Sequence, residues 1–212
     1  MWARENTREE LFDAMNRREV YATSGTRIAV KMYAGWDLEQ HAASSSALSN
    51  NLPATAVPMG SDLTPVESAR QPQFFVWAAK DINSANLQRI QMVKGWIEGG
   101  EVFERVQDIA CTDGNSPDPV TRLCPDNGAT VNLTTCQSDP DKGSAELNVL
   151  WRDSDFDPKQ SAFYYVRVLE NPICRWSTHD ALRLAQELKP QVDGEIQERA
   201  WSSPIWYTPT GD

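Results

Sequence analysis

Hydrophobic positions in this chain alternate more often than they recur at helical spacing, and the alternation is clearest over Ala162–Glu170. Phe163, Tyr165 and Arg167 point one way there; Tyr164, Val166 and Val168 point the other. Aromatic and β-branched residues fill the run, as a pleated strand favours. Both faces are largely apolar, which predicts a central strand of a sandwich. Asp153-Ser-Asp-Phe-Asp-Pro158 precedes it as a turn, and Asn171-Pro172 stops it. Period-two patterns predict further strands over 27–33, 73–80, 87–94, 101–110, 145–152 and 203–208, with a hairpin turn at Glu98-Gly99-Gly100. Seven strands at this spacing predict a mainly β chain, an antiparallel β-sandwich of immunoglobulin or fibronectin kind.

Helical spacing predicts two exceptions. An N-terminal helix spans 6–18, where Thr7 and Glu10 make a capping box and Leu11, Phe12, Ala14 and Met15 an apolar stripe. The stripe reads as a packing face. A crossover helix spans 177–188 near the C-terminus, capped by Ser177 or Thr178 and ended by Pro190. Polar connections fill 35–71 and 111–144, the first with a helical turn near 38–43.

Composition narrows the picture. The net charge of −10 argues against nucleic-acid binding, which needs a basic surface to displace counterions. No apolar run approaches the roughly 18 residues of a membrane span. The N-terminus, Met-Trp-Ala-Arg-Glu-Asn, has no segment of signal-peptide type. Cys111, Cys124, Cys136 and Cys174 lack Cys-x-x-Cys doublets, and neither His41 nor His179 is near them in sequence. They read as two disulfides pinning a long insertion, with buried free thiols and a metal site as the alternatives. Four cysteines allow three pairings, and spacing does not choose among them. Disulfides would imply an oxidising compartment.

Candidate chemistry is sparse. Asp153, Asp155 and Asp157 match the start of a calcium loop, but Pro158 and Tyr164 stand where Gly and Glu are needed, so the run reads as a carboxylate-capped turn. His179, in the first turn of a surface helix, has no nucleophile motif beside it. The turn Thr23-Ser24-Gly25-Thr26-Arg27 is the one place with a link to a site: amides of a Gly turn beside an Arg can hold a phosphate or carboxylate. As plain structure it is a junction that needs Gly25 for its backbone angle. No catalytic and no metal-ligating residue is expected in this chain.

Five blocks carry a resemblance. They are Arg17–Ile28, Leu87–Trp96, Asp155–Glu170, Arg175–Thr178 and Gln197–Pro209. In this order they resemble the C-terminal third of exported bacterial relatives of the PHP (polymerase and histidinol phosphatase) metal-dependent hydrolases, over nearly the whole chain. The resemblance implies that residues 1–26 are the terminal helix and junction of a missing catalytic barrel, and that 27–212 are an accessory β-sandwich. It implies a parent that hydrolyses esters with divalent metals bound by His-x-His pairs and a late Asp-x-His. This chain has two His 138 positions apart, so no cofactor is expected within it. The partner implied is that N-terminal domain, and the parent's location is periplasmic or extracellular. Another reading is a self-contained carbohydrate- or protein-binding module, with Trp36, Trp96, Trp176 and Trp201 as candidate contacts. An orphaned subdomain would expose Trp2, Leu11, Phe12 and Met15; a binding module would bury them and align aromatics on a sandwich face.

Overall fold

The strand read at Ala162–Glu170 forms with those bounds and lies at the centre of one of two facing sheets. The computed structural model describes residues 1–41, 52–66, 70–188 and 191–210. The elements are α1 (Arg8–Asn16), β1 (Tyr21–Thr23), β2 (Ala29–Gly35), a 3-10 turn (Leu38–His41), β3 (Val57–Pro58), β4 (Asp62–Leu63), β5 (Gln73–Ala79), β6 (Leu87–Glu98), β7 (Glu101–Cys111), β8 (Val131–Asn132) and β9 (Gln137–Ser138). They continue with β10 (Glu146–Arg152), β11 (Ala162–Glu170), β12 (Ile173–Cys174), α2 (Trp176–Arg183), β13 (Glu195–Ile196), β14 (Arg199–Ser202) and β15 (Ile205–Tyr207).

One edge of β11 pairs antiparallel with β6, which pairs in turn with β7. The other edge pairs with β15 at the start of β11 and with β14 near its end. β1 extends the sheet beyond β14, and β4 joins β15 in a short parallel contact. The facing sheet runs β10-β5-β2-β3. Alternation decides what lies between them: Val30, Met32, Phe74 and Val76 from one sheet meet Ile90, Met92, Tyr164 and Val166 from the other. Each such burial stabilises by about 1.5–3 kcal/mol before entropy is counted. Mainly β architecture in two layers is therefore what the alternation predicted, and the described residues add two α-helices.

Local chemistry moves several boundaries. Gly99 and Gly100 have φ of 61° and 86°, the two left-handed positions of a tight hairpin turn, so β6 and β7 run longer than expected. The strand expected over 203–208 is β15, preceded by β14 over 199–202, which the alternation did not mark. Pro204 has no N–H for a ladder, and its carbonyl accepts from the Gly60 amide at 2.9 Å. Gly60 itself, at φ 90°, lies so close to Arg18 that a Cβ would come within 2.3 Å of its carbonyl oxygen. Part of the 35–71 connection is ordered because Leu38 closes over the outward ring of Phe75. Pairing of β1 with β14 carries the sandwich sheet across the boundary expected after residue 26.

Both helices are shorter than their sequence patterns. Thr7 Oγ1 accepts from the Glu10 amide at 3.3 Å, but the Glu10 carboxylate turns to Arg17 at 3.1 Å, so half of the capping box forms. The packing face expected of α1 is corrected: Ala14 is buried, Leu11 half-buried, and Phe12 and Met15 are 63% and 50% exposed. α2 begins after Arg175 with no side-chain cap, because the Thr178 hydroxyl donates to the Gly194 carbonyl at 2.6 Å. The chain leaves the helix through Ala185 at φ 51°; Pro190, expected to end it, lies outside the described residues. The cysteines form Cys111–Cys124, within the long insertion, and Cys136–Cys174, which ties the insertion to the strand leading into α2.

Candidate functional site

The turn after β1 is held by carboxylates of the protein itself. Thr23 pairs with Ala200 in the sheet. The Ser24 amide donates to the Arg199 carbonyl at 3.0 Å, and its hydroxyl donates to the Glu198 carboxylate. Gly25 has no left-handed φ; the space a Cβ would need is taken by the Glu198 carboxylate, at 2.9 Å. The expectation that Gly25 serves a special backbone angle is corrected to close approach by a side chain. The Thr26 hydroxyl donates to Glu170 at 3.1 Å, and the Arg27 amide donates to Asp81 at 2.8 Å. Two hydroxyls and one amide of the turn thus hold three side-chain carboxylates.

Glu170 is the unusual one. It ends β11, is fully buried, and accepts from Thr26 and, at 2.9 Å, from the Ser84 hydroxyl. Burial pushes its carboxyl from the ordinary 4.5 up to about 7; the two hydroxyls pull it down, and Glu198 and Asp81 push it further up. Ser84 also lines a cavity of about 640 Å³, so Thr26, Glu170 and Ser84 connect the turn to its wall. Lys80, Asn86, Asp139, His179 and the Cys136–Cys174 bridge line the rest. The Lys80 ammonium donates to the Ser84 carbonyl and to Asn86 Oδ1, each at 3.0 Å. Behind the cavity, Asn171 and Asn127 join by a buried hydrogen bond of 3.0 Å, and Asn127 accepts from Gln88 at the same distance. These amides fasten the Cys-rich insertion to the sheet. His179, exposed, lies among the residues that line the cavity.

A second buried polar group lies at the opposite end of β11. Lys94, Asp153 and Tyr164 are all nearly inaccessible; the ammonium meets Asp153 at 2.6 Å, and the Tyr164 hydroxyl donates to the same oxygen at 2.8 Å. Burial first, then the Asp153 charge, drives the Tyr164 hydroxyl far above its ordinary range, so it stays protonated. Asp155 is held by Arg105 and by Arg122. The Arg122 guanidinium is the largest influence holding its carboxyl below the ordinary range, against partial burial. The Asp153 run is therefore a carboxylate-capped turn, as read from the sequence, with Asp153 Oδ1 accepting from the Asp155 amide at 3.1 Å. Breaking a buried pair from one side costs about 3–5 kcal/mol, which makes this cluster structural.

Sequence reasoning missed Glu170, Ser84, Lys80 and Lys94. Lys94 was within reach: it shares parity with Ile90 and Met92, so the alternation points an ammonium into the core, where it needs a carboxylate. Glu170 had only the weak signal of an acid ending a run that is otherwise apolar.

Among the described residues, no group of three or more His, Cys, Asp or Glu could hold a metal ion, and no helix is long and apolar enough to cross a membrane. A protein-family model described as "Protein of unknown function (DUF3604)" matches residues 1–209. No curated protein and no solved structure matches the chain.

Proposed function

The chain belongs to the DUF3604 family, and from the resemblance of its five sequence blocks we propose that it is the C-terminal accessory β-sandwich of an exported, PHP-like metal-dependent hydrolase. The observation that carries this reading is α1. The helix is capped and anchored, with the neighbouring Trp2 indole donating to the Val30 carbonyl at 2.7 Å, yet Phe12 and Met15 on its stripe face solvent. A helix with a stable scaffold and an uncovered apolar stripe fits a surface shared with another domain. Resemblance supplies the identity of that domain, a PHP-type barrel.

The residues of this chain do not fit the metal centre of such a hydrolase. They offer no His-x-His, and the described carboxylates are engaged with Ser, Thr, Lys and Arg partners or with solvent. Ester hydrolysis by metal-activated water therefore belongs, in this reading, to residues of the parent outside this chain. Two disulfides fit an oxidising compartment, periplasmic or extracellular. Trp36, Trp96 and Trp176 support the binding-module reading poorly, while Trp201 lies on the outer face of β14. Trp36 packs on Phe156 and Tyr207, Trp96 packs against the core, and Trp176 projects from α2.

Hydroxyl-radical footprinting tests the reading. Phe12 and Met15 should be modified readily in this chain alone and several-fold less in the product of a longer reading frame that contains it. Equal modification in both would remove α1 as a domain interface.

A further inference from the structure

On β11 the side chains turned away from the core are Phe163, Tyr165 and Arg167. Directly opposed residues share a face, so Trp206, the partner of Phe163, and Trp201, the partner of Arg167, lie on it too. On the other flank Phe163 opposes Gly95, which opposes Glu104. A Cβ at Gly95 would come within 2.3 Å of the Phe163 ring. The glycine therefore lets that ring lie across the β6 backbone instead of standing up from the sheet.

The rings make a trough. Phe163 and Tyr165 are parallel within 10°, with centroids 6.4 Å apart. Trp206, 5.3 Å from Phe163 and inclined at 49°, forms a wall. Beside Phe163 and Trp206 is a depression of about 250 Å³ bounded by Ile97, Val102, Ser161 and Thr208. Trp206 is 41% exposed, Ile97 54% and Val102 77%, so apolar surface is concentrated here. Polar groups share the face: exposed Glu104 on β7, and Arg167, whose buried Nε has no hydrogen-bond partner among the described residues.

We propose that this trough is a carbohydrate-binding site for a neutral oligosaccharide. A pyranose ring has an apolar C–H face and hydroxyls at its edge. It needs an aromatic face beneath and donors and acceptors around, and that is the order of groups here. Adjacent rings at strand spacing give room for more than one sugar unit. The exposed Glu104 carboxylate on this face disfavours uronic acids and other anionic sugars. The site lies on a sheet face, away from α1, and holds whether or not the parent is a hydrolase.

Titration calorimetry of the 212-residue chain with cellopentaose, xylopentaose and maltopentaose tests this. At least one pentaose should bind, and polygalacturonate should not. Trp206→Ala should weaken binding tenfold or more at unchanged Tm, because the indole is partly exposed. Glu104→Ala, at a fully exposed position, should weaken it with no risk to the fold. The proposal is overturned if no pentaose binds at millimolar concentration, if binding survives both substitutions, or if polygalacturonate binds as tightly. A dimer in sedimentation that Trp206→Ala dissolves would assign the trough to a second copy, and would overturn it too.

Discussion

Glu170 shows how one side chain couples this fold to pH. Its carboxyl rises from 4.5 to about 7 because burial penalises the charge and because Glu198 and Asp81 lie near. Between those values the folded state binds the proton and the unfolded state does not. This stabilisation is complete below about 4.5 and is lost as pH rises through 7. Glu170→Gln, which keeps the neutral shape, should therefore match the parent in Tm near pH 5 and exceed it near pH 8. Thermal denaturation at the two pH values checks this; a gap that shrinks with rising pH would contradict it. Asp155 acts in the opposite sense. Its lowered carboxyl contributes stability above the ordinary Asp range that is lost on acidification. Neither effect was legible in the sequence, because both depend on which loops the fold brings beside the carboxyl. Gly25 makes the same point: the sequence marked it as special, and only Glu198 above it explains why.

At the scale of elements, legibility followed the strength of local signals. β11 was readable to the residue because its aromatic and β-branched alternation is unbroken. β15 was readable within 203–208, while β14, only four residues long and set off by Pro204, was not. α1 was readable as an amphipathic helix, but periodicity says that a stripe exists and not what covers it. The disulfides were readable as a pair, while their connectivity needed coordinates. With those in hand, loop closure ranks them. Bridges spanning 38 and 13 residues should be worth about 4 and about 3 kcal/mol on the chain-entropy argument. Replacing Cys136 and Cys174 by Ala should therefore cost more in guanidinium unfolding than replacing Cys111 and Cys124. The reverse order would mean that native contacts, such as the amides around Asn127, already hold the larger loop.

The whole molecule is a two-layer sandwich whose apolar groups have been sorted unevenly. The core between the sheets is closed, while the α1 stripe and the Phe163–Trp206 trough remain open on separate surfaces. The first fits a neighbouring domain and the second a ligand. An accessory sandwich that joins a catalytic barrel and also holds a glycan would use both. The central claim is the first, and the most direct measurement is a read of the genomic DNA upstream of the codon for Met1. The account predicts an open frame continuous with this one and encoding His-x-His pairs and a late Asp-x-His. An in-frame stop with no such sequence before it would contradict the account and leave the sandwich to be explained by its own surfaces.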